Sequence, residues 1–245
     1  MKKLLIAVTL LCLHFQFSAA IDPPKFKYGF GGGVNLSNIS ELQAYLLYED
    51  VSGETYSSRY STLFSNFGSQ FFFHGEFLFN KIILALKPGV YTYSFGKTDE
   101  VIFNTETVEQ HSSFLLRYIN IPVEVKWMIG SGTFKPYIGG EGSFGYLMKE
   151  SGSASNSFIK PRFSAGPVAG GYFSFSNFDL VASLGYDMGL HIITSKDNRF
   201  NTSIDTPFSQ SDLILHNLNI SLSILFSLEK SNLLKSLECP KPQRR

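Results

Sequence analysis

After residue 20 the chain has no run of roughly 18 consecutive apolar residues, so it has no segment able to cross a bilayer as a helix. Cysteine is almost absent: Cys12 lies in the first apolar segment and Cys239 near the C-terminus. A single thiol beyond residue 20 builds neither an internal disulfide framework nor a metal cluster. An excess of one charge sign is missing too. Removing Lys2 and Lys3 from the 21 basic residues leaves 19 against 20 acidic ones, a formal charge of −1. No strongly electrostatic partner is implied, and none of nucleic-acid type.

The first twenty residues read as a secretory signal peptide. Lys2 and Lys3 give a positive start, Leu4 to Phe17 an apolar stretch, and Ser18-Ala19-Ala20 a small-residue cleavage site. Cys12 follows Leu10-Leu11, whereas a lipidated cysteine wants a small residue just before it. The expected organisation is therefore a signal peptide over 1–20, one folded domain over 21–228 and a C-terminal tail over 229–245. The tail carries five basic and two acidic residues, and Leu233, Leu234 and Leu237 form a short apolar stripe if it is helical.

Between these ends the hydrophobicity alternates with period two. Phe26, Tyr28, Phe30, Val34 and Leu36 share one face; Lys27, Gly29, Gly31, Gly33, Asn35 and Ser37 share the other. The split returns at the end of the chain. There Ile214, Leu218, Ile220, Leu222, Ile224, Phe226 and Leu228 alternate with Asn217, Asn219, Ser221, Ser223 and Ser227. Six further strands are expected over Gln70–Phe79, Ile82–Phe95, Leu115–Met128, Phe134–Met148, Pro161–Phe173 and Phe178–Ile193. Each of the eight meets the roughly 9 to 11 residues that a tilted strand needs to span a bilayer.

Their connections alternate in length. Long polar segments run over Asn38–Ser69, Gly96–Phe114, Lys149–Lys160 and Thr194–Asp212; short ones are Asn80-Lys81, Ile129–Thr133 and Ser174–Asn177. Short turns on one side, long loops on the other and an even strand count are the grammar of outer-membrane barrels. The fold class expected is all-β, an eight-stranded antiparallel up-and-down transmembrane barrel located in the outer membrane.

With the apolar face outward, Lys27, His74, Glu76, Lys87, Glu124, Lys126, Lys135, Glu141, Asp179, Asp187 and His191 point into the lumen. An eight-stranded barrel is just wide enough for side chains to fill it, so these groups are expected to pair and close it against diffusion. Pro88, Pro122, Pro136 and Pro167 fall inside the expected strands, where a missing N–H marks a bulge or a strand end. The chain has 24 Phe and 12 Tyr against one Trp, and the outward rings, including Phe71, Phe73, Phe77, Phe79, Trp127, Phe173 and Phe178, gather near the short turns as an interfacial girdle.

Four stretches, Tyr28–Ser37, Lys87–Gly96, Tyr118–Lys126 with Lys135–Gly140, and Leu184–Leu190, together make the chain resemble the PorT-like outer membrane protein β-barrel domain family. The resemblance covers nearly all of the chain after residue 20. It implies an outer-membrane barrel, prolines at 88, 122 and 136 that belong to the pattern, and for the family's namesake an accessory role in protein secretion.

Candidate chemistry is sparse. The pair His111 and Ser113 is similar to the histidine and serine of outer-membrane lipid A deacylases, but Phe114 stands where that motif continues with Asn. His74 with Glu76 and Asp187 with His191 share faces, which suits a salt-bridge network as well as ligands or acid–base partners. Gly29, Gly31, Gly32 and Gly33 precede no helix and so form no phosphate cradle. An inward hydrophobic cavity would draw on Phe72, Tyr91, Tyr93, Tyr137 and Tyr172. The first long loop, with Glu41, Glu49, Asp50, Glu54, Tyr45, Tyr48, Tyr56 and Tyr60, has the composition of a recognition surface.

The reading is thus a non-enzymatic barrel with no catalytic residue, cofactor or metal. Its expected partners are outer-membrane lipids, the barrel-insertion machinery and a periplasmic or extracellular protein. A lipid-modifying enzyme, a secretion-system accessory, a narrow channel and a soluble lipocalin-like barrel are the alternatives.

Overall fold

The computed structural model describes residues 25–45, 55–61, 63–103, 106–130, 132–152, 158–194 and 210–227. The expected signal peptide and C-terminal tail, with Cys12 and Cys239, lie outside these residues. Ten strands form: β1 Lys25–Tyr45, β2 Thr55–Tyr60, β3 Phe67–Phe79, β4 Ile82–Leu86, β5 Gly89–Phe103, β6 Glu106–Met128, β7 Phe134–Gly152, β8 Pro161–Ser174, β9 Asp179–Gly189 and β10 Gln210–Ser227. A short 3-10 turn over Leu63–Ser65 precedes β3.

All neighbours are antiparallel, and the sheet closes on itself. β1 pairs with β10 on one side, from Lys27 opposite Ser227 to Tyr45 opposite Gln210, and with β3 on the other, from Lys25 opposite Leu78 to Leu36 opposite Phe67. β4 and β5 are two halves of one stave and β2 pairs only with β5, outside the ring, so the ten strands make a ring of eight staves. The break falls at Lys87-Pro88, where proline cannot extend the ladder. Hydrogen bonds carry the wall past it: the Lys87 amide donates to the Pro122 carbonyl and the Phe73 amide to the Pro88 carbonyl, both at 3.0 Å. Pro122 and Pro136 sit inside continuous strands, and the Pro136 carbonyl accepts from the Ile129 amide at 2.7 Å. Pro167 interrupts the β8–β9 ladder, whose pairs pass from Ala165–Met188 to Val168–Gly185.

The three short turns lie where the spacing predicts them. Asn80 turns the β3–β4 hairpin at φ 56°, and Gly130 and Gly132, at 97° and 121°, turn the chain between β6 and β7. These left-handed values suit asparagine and glycine. The opposite end differs from the expected loops. β1, β5, β6, β7 and β10 run on beyond the stretches whose alternation marks them as strands, and β2 pairs with β5. The segment Gly96–Phe114 is therefore largely a two-stranded ribbon, paired from Gly96–Ser113 to Phe103–Glu106. β6, at 23 residues, exceeds the bilayer requirement by about a dozen, enough to project roughly 30 Å along a tilted path. β9 ends earlier than expected, at Gly189 rather than Ile193.

The wall is inverted relative to a soluble protein. Phe71, Phe73, Leu84, Val125, Trp127, Ile138, Leu184 and Leu222 are exposed on its outside, Phe71 by 71% of its surface. A contiguous apolar exterior of this kind is stable against hydrocarbon and not against water. The lipocalin-like alternative, which needs those residues inside, is overturned.

The inside is packed in tiers. Phe72, Tyr91, Tyr93, Phe95, Leu116, Tyr118, Leu147, Phe158, Ile193, Leu213 and Leu215 form an apolar plug toward the long-loop end, with Ile39. Ile83, Tyr137, Val168, Tyr172, Val181 and Leu225 form a smaller one toward the short turns. Phe72, Tyr91, Tyr93, Tyr137 and Tyr172, the residues a ligand cavity would have used, are all buried within these plugs and fill space.

The seam between β1 and β10 tolerates little bulk. A Cβ added at Gly29 would fall on the Ile224 carbonyl oxygen. Gly29→Val should weaken ring closure. The measurement is the fraction of protein migrating fast on an unboiled SDS gel; the expected outcome is a several-fold loss of that form, with wild type converting to the slow form only on boiling.

Candidate functional site

The lumen charges lie between the two plugs because each is set on an inward position of a strand already in register. His74 and Glu76 come from β3, Lys87 from the β4–β5 break, Glu124 and Lys126 from β6, Glu141 from β7 and Asp187 from β9. Strand spacing alone places His74 beside Glu76 and Glu124 beside Lys126 on the same face.

The result is one connected cluster. Lys126 Nζ lies 2.9 Å from Glu76 Oε1 and 2.7 Å from Glu124 Oε2. Lys87 Nζ lies 2.6 Å from Glu124 Oε1. Glu76 Oε1 also accepts from Tyr172 OH at 2.6 Å and from His74 Nε2 at 2.9 Å, an assignment that makes Nε2 the protonated ring nitrogen. The Lys126 ammonium stands 4.9 Å from the centre of the Tyr137 ring and Lys87 stands 5.5 Å from that of Phe72. Lys126, Glu76 and Glu124 are at most 2% exposed. Charges so far from water persist only when paired and hydrogen-bonded on several sides, which is what this cluster supplies.

Near the short-turn mouth Lys27 and Asp179 form a separate pair at 2.8 Å, and Lys135 Nζ donates to Ser174 Oγ at 3.3 Å. Asp187 accepts from Asn219 Nδ2 at 2.9 Å. Glu141 stands directly across the ladder from Glu124, a juxtaposition of like charges.

His191 is a correction to the expected lumen set. β9 ends two residues before it, so strand alternation no longer governs its direction. Its ring packs edge-on against the outward Phe163 at 5.6 Å, and its Nε2 donates to the Pro161 carbonyl at 3.0 Å. Asp187 and His191 are thus not partners. The reverse omission is Arg162 of β8, 1% exposed and stacked 4.9 Å from the Tyr93 ring centre. With the Asn217 amide oriented to satisfy its neighbours, Arg162 Nη2 donates to its oxygen at 2.6 Å. Arg162 keeps the parity of Ser164, Val168 and Tyr172, which is the signal that would have placed it inside.

His111 and Ser113 sit on the ribbon, both exposed. The ring nitrogens of His111 meet Thr98 Oγ1 at 3.0 Å and Glu109 Oε2 at 3.6 Å. Its base is therefore directed at groups other than Ser113. Among the described residues no group of three or more His, Cys, Asp or Glu could hold a metal ion. Tyr60 of the first long loop packs against Phe95 at 6.4 Å, while the side chains of Glu41, Tyr45, Tyr48, Glu49, Asp50, Glu54 and Tyr56 lie outside the described residues.

Removing one member of a buried ion cluster strands its partners. Lys126→Met should lower stability by about 3 to 5 kcal/mol, read as the urea midpoint of the gel-mobility transition. The double variant Lys126→Met with Glu76→Gln should recover part of that loss.

The comparisons with known proteins bear on the whole wall. The model of a family described as outer membrane protein β-barrel domain matches residues 16–195. The match stops short of β10, the strand that closes the ring. No curated protein matches the chain. Among solved structures, outer membrane protein OprG from Pseudomonas aeruginosa is similar at 12% identity and TM-score 0.47, over 83% of this chain and 96% of that one. Neisserial surface protein A is similar at 12% identity and TM-score 0.43, over 83% and 99%. Escherichia coli outer membrane protein W is similar at 11% identity and TM-score 0.41, over 84% and 99%. The family match spans well over half of the chain and agrees with the ring of eight staves and its apolar exterior: this chain belongs to the outer membrane protein β-barrel domain family, and its place is the outer membrane.

Proposed function

We propose that the protein is a plugged, non-enzymatic barrel that acts through the surface its long strands raise beyond the membrane. The observation that supports this most is the filled lumen. Two apolar plugs flank an ionic cluster, and two cavities among the lumen side chains have volumes of only about 20 Å³ each. A space of that size takes one water and passes no solute.

With the interior occupied, recognition falls to the projecting end. The β5–β6 ribbon with β2 along its flank is a rigid platform for variable connections, the usual setting of binding loops. Outer-membrane lipids contact the wall, the insertion machinery delivers the barrel, and a protein partner meets the ribbon or the tail. An accessory role in protein secretion, implied by the PorT-like resemblance, fits this arrangement because it too needs a surface and not a pore.

Reconstitution into planar bilayers should give no discrete conductance at either polarity; a steady channel would overturn the proposal. The lipid-modifying alternative has its own test. His111→Ala and Ser113→Ala should leave the lipid A mass spectrum unchanged, and a shift in acylation on loss of either residue would establish an enzyme.

A further inference from the structure

Between the plugs four carboxylates, Glu76, Glu124, Glu141 and Asp187, stand against three cations, Lys87, Lys126 and Arg162, and neither Glu141 nor Asp187 has a bonded cation. Glu124 is met by Lys87 and Lys126, Glu76 by Lys126, and Asp179 by Lys27. Asp187 has the Asn219 amide and, beside it, Asn217, which accepts from Arg162. Glu141 faces Glu124 across the ladder, and its Oε2 lies 4.0 Å from the position a Cβ would take on Gly185, between Ser183 and Asp187 along β9.

A cavity of about 20 Å³ opens at this point, lined by Glu141, Glu124, Lys87, Gln70, Ser183, Asn219 and Ser221, among others. One sphere of water size needs roughly 10 to 15 Å³, so the cavity takes a single small species. Two observations say which charge that species should carry. Asn219 is 91% buried, and its Oδ1, an acceptor only, has no donor. Lys87, the cation in the lining, is held 2.6 Å from Glu124 and not from Glu141.

We propose that this cavity binds one small monovalent cation of sodium size, held by the Glu141 carboxylate and Asn219 Oδ1 with the hydroxyls of Ser183 and Ser221 completing an oxygen shell. Oxygen ligands select a hard cation. A charge of one is the difference between the four carboxylates and the three cations of the cluster; a divalent ion would leave a surplus positive charge beside Lys87 and Lys126. The site acts as a staple across the barrel, joining β7 to β9 and β10 at the level where Pro167 interrupts the β8–β9 ladder. It is independent of what the outer surface recognises.

The test uses the full-length protein in detergent micelles at neutral pH and fixed ionic strength, with sodium, potassium or choline chloride. The readout is the thermal midpoint of the gel-mobility transition. Sodium should raise it over choline by roughly 2 to 4 °C, saturating with concentration. Glu141→Gln should abolish the difference, whereas Asp179→Asn at the mouth should keep it. Sodium-23 line broadening on the unmutated protein gives a second reading that needs no variant to fold. Equal midpoints in all three salts, with no broadening, would overturn the proposal. So would a midpoint insensitive to the cation that falls as pH rises and ceases to do so in Glu141→Gln, the signature of a shared proton.

Discussion

Closure of the backbone hydrogen-bond ring is the constraint from which the rest of this structure follows. In hydrocarbon an amide without a partner costs several kcal/mol, so a wall of strands is stable only when its first and last members pair. Here that pairing is β1 with β10, and it sets the circumference at eight staves. The circumference fixes the lumen, and a lumen this narrow admits side chains and little else. Polar residues that the alternation sends inward must therefore satisfy one another, which explains why Glu76 alone meets Lys126, His74 and Tyr172. Even the proline break follows the same rule, since the Lys87 amide finds a carbonyl on β6 and the Pro88 carbonyl accepts from an amide on β3.

The tiers inside divide the work. Buried ion pairs contribute little net stability compared with apolar packing of the same volume, because desolvation offsets their attraction. The two aromatic and aliphatic plugs supply the cohesion, and the ionic cluster between them fixes which inward residues of β3, β6 and β8 stand opposite each other. A one-residue slip of β6 would turn Glu124 and Lys126 out into lipid and bring Val125 and Trp127 inside. The cluster thus specifies register more than it adds strength.

The sequence makes the membrane band legible because only there does one face meet lipid and the other a polar interior. The alternation of Ile220, Leu222 and Ile224 with Asn219, Ser221 and Ser223 carries that contrast directly. Beyond the band the sequence loses that contrast, so β2 and the far halves of β5 and β6 show no alternation to read. The same loss explains the site residues. His74, Glu76, Lys87, Glu124 and Lys126 sit within the band and are where their parity puts them. His191 lies past the end of β9, where parity no longer applies, and Arg162 lies at the start of β8, where a flanking proline hides the pattern's first step. The inward tyrosines were visible as candidates, but their packing into plugs depends on neighbours such as Leu116 and Phe158 that only the closed ring brings together.

The central claim is a wall that is oily outside around a lumen closed to water, and paramagnetic relaxation in lipid nanodiscs measures both at once. A lipid-soluble probe should broaden the resonances of Phe73, Val125 and Leu222, while a water-soluble probe should leave those of Glu76, Glu124 and Lys126 sharp. Broadening of the Glu76–Lys126 cluster by the water-soluble probe would show an open lumen and contradict the account.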